Sequence, residues 1–277
     1  MLELAPDAGL ALARLANETD AALVGPRDSR LQEIRTTRYP WNTVVHLCRD
    51  FGTGFCAGCS GLLVGPRKVL TAAHCLWSLG RRAAPRSIRV IPGRRDRDTL
   101  PYGAIESREY WVPQAFITRS DRVLHDWGLI LLPRAFPELR RFMPLRALTD
   151  AEFARVAAHG RVTVAGYPSD RPLGTLWRHA EFLRKVTPRR IFYTVDTCPG
   201  HSGSPIWIDI QRGPVAIGVH TAGLLDERGR PFGCGRGTIL APPGSLNSGI
   251  RLTPAILAAI RDPQAAAVGR SALVRLP

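Results

Sequence analysis

From Trp41 onward the chain is a succession of short β-branched and apolar runs, broken at close intervals by glycine, proline and charged residues. No other feature restricts the fold as much. "TVVHL", "SGLLV", "KVLTAA", "SIRVI", "WGLILL", "RVTVAGY", "IFYTV", "SPIWI" and "VAIGVH" are clear instances. Runs this short, with turn residues between them, predict an all-β sandwich or barrel. Parallel βαβ units need long helical patterns between strands, and few are present. A less strand-like segment, "FPELRRFMPLRALTDAEF" (136–153), divides the β-rich region into two halves. Near the end, "RLTPAILAAIRDP" offers Thr253 as N-cap, Pro254 at the first helical position and Pro263 as a stop, which predicts a helix over about 253–262. Residues 1–23 are Ala/Leu-rich and read as a short helix, a pro-segment or a disordered arm.

At 277 residues, with 45% hydrophobic and 22% charged, the chain suits one large all-β domain or two modest ones. No apolar run reaches the ~18 residues of a membrane span, so no membrane partner is expected. The net charge of +15 is almost wholly arginine, because Lys68 and Lys185 are the only lysines. Those arginines are dispersed in "GRR", "GRRDRD", "ELRRF" and "TPRRIF", with neither a basic block nor a recognition-helix or zinc-finger pattern. They read as a solvated basic surface, and nucleic acid is not an expected partner. The first twenty residues carry Glu3, Asp7 and Arg14, unlike a secretory signal, which has a basic start and an unbroken apolar centre.

Six cysteines, Cys48, Cys56, Cys59, Cys75, Cys198 and Cys234, permit complete pairing in an oxidising compartment, in any of 15 connectivities. Cys56-Ala-Gly-Cys59 also reads as a redox or metal pair, but no second pair stands at zinc-like spacing. Three further motifs carry chemistry. Hydrolysis by a serine needs a base for the hydroxyl proton, an acid to orient that base and donors for the oxyanion. "LTAAHC" offers His74, "HDWGLILL" offers Asp126 and "GHSGSP" offers Ser202. Taken singly these are a core histidine, a helix cap or arginine partner, and a turn; taken together and in order they form a triad.

Thr71-Ala-Ala-His-Cys75 resembles the catalytic-histidine motif of chymotrypsin-like (trypsin-like) serine proteases, and Gly200-His-Ser-Gly-Ser-Pro205 resembles their nucleophile loop in its bacterial V8-like, glutamyl-endopeptidase form. The order His, Asp, Ser is also that of this class. The resemblance spans about residues 24–262. It implies two six-stranded antiparallel β-barrels (about 40–135 and 155–250), a linker (about 136–154), the C-terminal helix and a tail (263–277). It makes Ser202 the nucleophile, His74 the base and Asp126 its orienter, with the N–H groups of Gly200 and Ser202 as oxyanion hole. It also implies the disulfides Cys59–Cys75 and Cys198–Cys234, which leaves Cys48 and Cys56 to bridge a hairpin through "RDFGTGF".

Specificity in such enzymes comes from the segment before the nucleophile and from "AIGVHTAG" (216–223), which offers Asp196, Thr197, His220, Thr221 and Gly223. His220 and Thr197 match a histidine and a threonine that meet a substrate carboxylate, and an imidazolium with a hydroxyl suits an acidic P1 side chain. Asp196, six residues before Ser202, stands where trypsin places the aspartate that selects Arg or Lys. Both specificities stay open, with cleavage after Glu or Asp ranked first; a non-catalytic pseudoprotease binding module is the reading from another class. His201 is not the base, and it replaces the aspartate that pairs with a newly cut N-terminus in digestive relatives, so residues before about Val24 are expected to be a removable pro-segment. The expected protein is an extracellular or periplasmic monomer acting on protein or peptide substrates, without metal or cofactor.

Overall fold

The computed structural model describes residues 23–25, 27–223, 232–234, 242–266 and 272–277. The arm expected over residues 1–23 lies outside them except for Leu23. A short strand, β1 (Leu31–Glu33), precedes the first half: β2 (Val44–Asp50), β3 (Cys56–Gly65), β4 (Lys68–Thr71), β5 (Ser87–Pro92), β6 (Ile105–Ser107), β7 (Glu109–Pro113), helix α1 (Gln114–Thr118) and β8 (Gly128–Leu131). The second half comprises α2 (Asp150–His159), β9 (Arg161–Gly166), β10 (Leu176–Val186), β11 (Arg190–Tyr193), β12 (Pro205–Ile210), β13 (Gly213–Ala222) and β14 (Asn247–Arg251). Helices α3 (Pro254–Arg261) and α4 (Pro263–Ala266) and strand β15 (Leu273–Arg275) complete it.

The strands named above all pair antiparallel, in two successive sheets. In the second half six strands close into a barrel, β9–β10–β11–β14–β13–β12–β9. Closure depends on the eleven-residue β10. One stretch, 177–182, pairs with β9, and the next pairs with β11 from Leu183 onward. The first half differs from the closed barrel expected of it. Its sheet runs β15–β7–β8–β4–β3–β2–β5–β6 and curls without closing. A strand has two edges, and both edges of β7 are taken, one by β8 and the other by β15, so the three-residue β6 has no edge of β7 to join. The segment read as a tail is therefore partly a strand of the first sheet.

Two apolar cores fill the halves. Val45, Leu47, Leu63, Val90, Tyr110 and Ile130 lie in the first; Phe153, Val162, Leu183, Ile191, Ile206 and Ile217 lie in the second. A seam joins them where Val44 and Leu62 meet Ala165, Tyr167 and Trp207. Helix α3 and β15 tie the same seam from behind, with Ile260 and Leu273 against Leu70, Trp127, Val219 and Leu252. The predicted C-terminal helix starts as its sequence implies: Ile256 N–H donates to Thr253 Oγ1 at 3.3 Å and Pro254 takes the first turn. Helix α2 occupies the end of the stretch read as linker, and Thr149 and Glu152 close a capping box around its start.

The arginines are not all solvated surface. Arg30, Arg94, Arg190 and Arg251 are buried. Arg30 bridges Asp28 and Asp170 at 2.8 and 2.6 Å, and so clips the segment before β1 to the loop before β10.

Candidate active site

The triad candidates reach the seam from strand ends. Residues 73–75 form a 3-10 turn directly after β4, and this turn carries His74. A second 3-10 turn, Arg122–His125, ends on Asp126 just before β8. Asp126 accepts twice from His74: Oδ1 takes the main-chain N–H at 2.9 Å, and Oδ2 lies 2.7 Å from ring Nδ1. Both residues are buried. A carboxylate held at Nδ1 fixes the ring and keeps its proton on that nitrogen, which leaves Nε2 as the proton acceptor.

Ser202 comes from the loop before β12. Ser60 N–H donates to its carbonyl at 2.8 Å, and Cys75 Sγ lies 3.6 Å from the same oxygen, so Ser202 abuts the residue next to His74. The glycines on either side explain the loop's path. Gly203 has φ +86°, and a Cβ there would stand 2.1 Å from Ser60 O and Thr71 Oγ1. Gly200 has φ +95°, and its Cβ would stand 2.5 Å from Tyr167 O. Only glycine takes this conformation without strain and allows so close an approach. Ser60 Oγ also donates to Gly200 O at 2.7 Å and accepts from Tyr167 N–H at 2.8 Å, which moors the loop to both halves.

Disulfides brace these pieces. Cys59–Cys75 joins β3 to the turn of His74, Cys198–Cys234 ties the segment before Ser202, and Cys48–Cys56 closes the hairpin of β2 and β3. Cys59, His74 and Cys75 also bring potential metal ligands within 4.8 Å of one another. The two sulfurs are bonded to each other, so no thiolate remains there for a metal.

His201 is buried against its own loop: Cys198 N–H donates to its Nδ1 at 3.1 Å. Burial, with the charge of Arg30, pulls its pKa down to about 3, so it is a neutral structural residue. Asp196 is equally committed. Its Oδ1 accepts from Gly25 N–H at 2.8 Å and its Oδ2 from Ser29 N–H at 2.9 Å, so the carboxylate anchors the N-terminal segment.

Thr197 and His220 present the opposite situation. Thr197 Oγ1 and His220 Nε2 are buried and have no hydrogen-bond partner among the described residues. Tyr193 Oη lies 2.6 Å from His220 Nδ1. A tyrosine hydroxyl donating there leaves the imidazole proton on Nε2. The imidazolium expected at His220 is corrected to a neutral ring, because burial, reinforced by the nearby Arg190 guanidinium, pushes its pKa well below the usual value. Thr221 and Gly223 are buried beside it, and Thr221 Oγ1 accepts from Arg190 at 3.1 Å.

Sequence reasoning missed Arg190, Tyr193 and Asn247. Asn247 binds both main-chain polar groups of Leu23: its Oδ1 accepts from Leu23 N–H at 3.0 Å, and its Nδ2 donates to Leu23 O at 2.7 Å. All three are polar residues within or at the end of short strands, with no local pattern that sets them apart.

A family model described as Trypsin matches residues 30–234. A glutamyl endopeptidase of Bacillus licheniformis is 29% identical over 202 residues, covering 71% of this chain and 60% of that protein. A Bacillus subtilis protein named as an extracellular metalloprotease is 29% identical over 198 residues, covering 71% and 61%. The chain thus spans about three-fifths of the length of these curated relatives. A solved structure of a Glu endopeptidase in complex with MPD superposes with a TM-score of 0.69 at 23% identity, over 88% of this chain and 100% of that one.

Proposed function

The chain belongs to the trypsin family of serine proteases, and from that membership we propose that it cleaves peptide bonds after glutamate or aspartate with Ser202, His74 and Asp126. In this reading His74 Nε2 takes the Ser202 hydroxyl proton as Oγ attacks the scissile carbonyl, and later returns it to the leaving amine. Asp126 stabilises the imidazolium formed in between. The N–H groups of Gly200 and Ser202 receive the oxyanion of the tetrahedral intermediate, a contribution typically worth several kcal/mol. Water then releases the acyl group from Ser202 by the same steps in reverse.

One observation supports the acidic preference: Thr197 Oγ1 and His220 Nε2 are buried with no hydrogen-bond partner among the described residues, while Asp196 is engaged by two amides of the N-terminal segment. Buried donors are normally paired, and a P1 carboxylate supplies the acceptor that Thr197 Oγ1–H and His220 Nε2–H lack. Asp196, by contrast, is engaged by the N–H groups of Gly25 and Ser29 and lies 3.3 Å from His179 Nδ1. Three disulfides and the printed name of the B. subtilis relative support action outside the cytoplasm.

The test is a peptide-library digest read by mass spectrometry, with Ser202→Ala beside the wild type. Cleavage after Glu or Asp, lost in Ser202→Ala, is the expected result. Cleavage after Arg or Lys overturns the specificity, and cleavage that survives Ser202→Ala overturns the triad.

A further inference from the structure

The acidic pocket just described is short of positive charge. His220 is neutral, and Thr197 contributes only a dipole. A carboxylate buried against neutral donors alone is an unpaired charge, which proteins rarely tolerate.

Arg190, on β11, stands next to this deficit. Its side chain is fully buried. One terminal nitrogen donates to Val123 O at 2.6 Å, in the turn that ends on Asp126. The other donates to Ser248 Oγ at 2.6 Å and to Thr221 Oγ1 at 3.1 Å. None of these acceptors is charged, and among the described residues no carboxylate forms an ion pair with Arg190. Its Nε is buried and unpartnered among them too. Burial lowers its pKa to about 10, opposed by Asp126 and Tyr193, so the group stays charged at neutral pH.

The residues it holds surround His220. Thr221 follows His220 on β13; Ser248 on β14 pairs with Ala222, and its neighbour Gly249 pairs with His220 itself. Tyr193, three residues along β11 from Arg190, makes the hydrogen bond to His220 Nδ1. Ser248 in turn donates to Ala222 O at 3.3 Å, so the guanidinium polarises a hydroxyl that is itself a donor to the β13 main chain beside His220.

We propose that Arg190 is a specificity-determining cation of this site, a buried guanidinium with no carboxylate ion pair among the described residues, whose field selects a P1 carboxylate over the corresponding neutral amide. The inference rests on the acidic P1 reading above. Arg190 acts through Thr221, Ser248 and its field, so it is not a catalytic residue. The charged or titratable groups acting on it and on His220 are Asp126, Tyr193, His201 and His74. Of these, Asp126 and His74 serve the reaction of every substrate alike.

The test compares kcat/KM for matched peptides with Glu or Gln at P1, using the wild type, Arg190→Met and Arg190→Lys. In Arg190→Met the Glu/Gln ratio is expected to fall by about tenfold or more through the Glu substrate alone, and Arg190→Lys should keep most of the ratio. An equal loss on both substrates, with no recovery in Arg190→Lys, shows a merely structural residue and overturns the proposal. A second measurement needs no variant. Arginine does not titrate near neutrality, so the wild-type Glu/Gln ratio should stay flat from roughly pH 6 to 9. A decline of about tenfold across that range assigns the charge to His220 and overturns the proposal even where Arg190→Met does not fold. A wild type indifferent to Glu and Gln refutes the acidic reading itself and this inference with it. A wild-type preference that survives in Arg190→Met refutes only the role of Arg190.

Discussion

Asp126→Asn separates the chemistry of the proposed triad from its architecture. Asparagine keeps the shape of the side chain and one oxygen. That oxygen can still accept the His74 main-chain N–H, now 2.9 Å from Asp126 Oδ1. The other position becomes an NH2 group facing His74 Nδ1 across 2.7 Å. Two donors cannot share that gap, so the ring must carry its proton on Nε2 and present Nδ1 as acceptor. His74 then has no lone pair at the nitrogen that should take the Ser202 proton. Losing the correct tautomer in this arrangement typically lowers kcat by about ten-thousand-fold, or roughly 5 kcal/mol at about 1.4 kcal/mol per factor of ten. The effect on stability should be much smaller. Two charge-assisted hydrogen bonds become neutral ones, a loss of about 1–3 kcal/mol. The assay pairs kcat on a P1-Glu peptide with calorimetry of the same samples. A folded Asp126→Asn protein that retains more than about a tenth of wild-type kcat would refute the tautomer argument, and so would an activity loss that follows the unfolded fraction.

Other consequences of the geometry are open to simpler measurements. Gly203→Ala forces a Cβ to within 2.1 Å of Ser60 O at φ +86°, so it should destabilise by roughly 3 kcal/mol or more, while Gly65→Ala, with nothing within 4 Å, should leave Tm nearly unchanged. Comparable Tm losses in the two variants would contradict the packing described for the loop. Burial, with Arg94 acting on His46 and Arg30 on His201, lowers both histidine pKa values to about 3, against about 6.5 in the unfolded chain. Their stability contribution is therefore complete above pH 6.5 and declines as pH falls toward 3, so His46→Gln should flatten Tm against pH in that window; parallel curves would count against it. Asp196→Ala leaves the amides of Gly25 and Ser29 without their acceptor, and should cost about 2 kcal/mol and expose residues 25–29 to limited proteolysis while P1-Glu cleavage persists. An accompanying switch in P1 preference would show that the carboxylate faces the substrate instead.

Much of this architecture was legible because it is local. The nine apolar runs fall in strands, since each is bounded by turn residues and pairs with its neighbours in sequence or nearly so. The longest strand, β10, escaped notice because Arg178, Glu181, Arg184 and Lys185 interrupt it and most of its residues are only partly buried. Its strand character comes from β9 on one edge and β11 on the other, which no local pattern encodes. β15 is three residues long and exists because β7 had an edge to offer. The site divides in the same way. "TAAHC" and "GHSGSP" are recognisable because tight turns and close packing restrict which residues fit. "TPRRIF" gives no hint that Arg189 is exposed and Arg190 buried, since that difference is made by Val123, Thr221 and Ser248, all far away in sequence. Asp196 is the sharpest case. Its offset from Ser202 suits a pocket aspartate as well as an anchor, and what separates the two roles is Gly25 and Ser29, 171 and 167 positions away. Asp196 is engaged by those two amides, whereas Thr197 Oγ1 and His220 Nε2 have no partner among the described residues. The specificity of such a site therefore depends less on which ionisable residues line it than on which of them the rest of the chain has left unpaired.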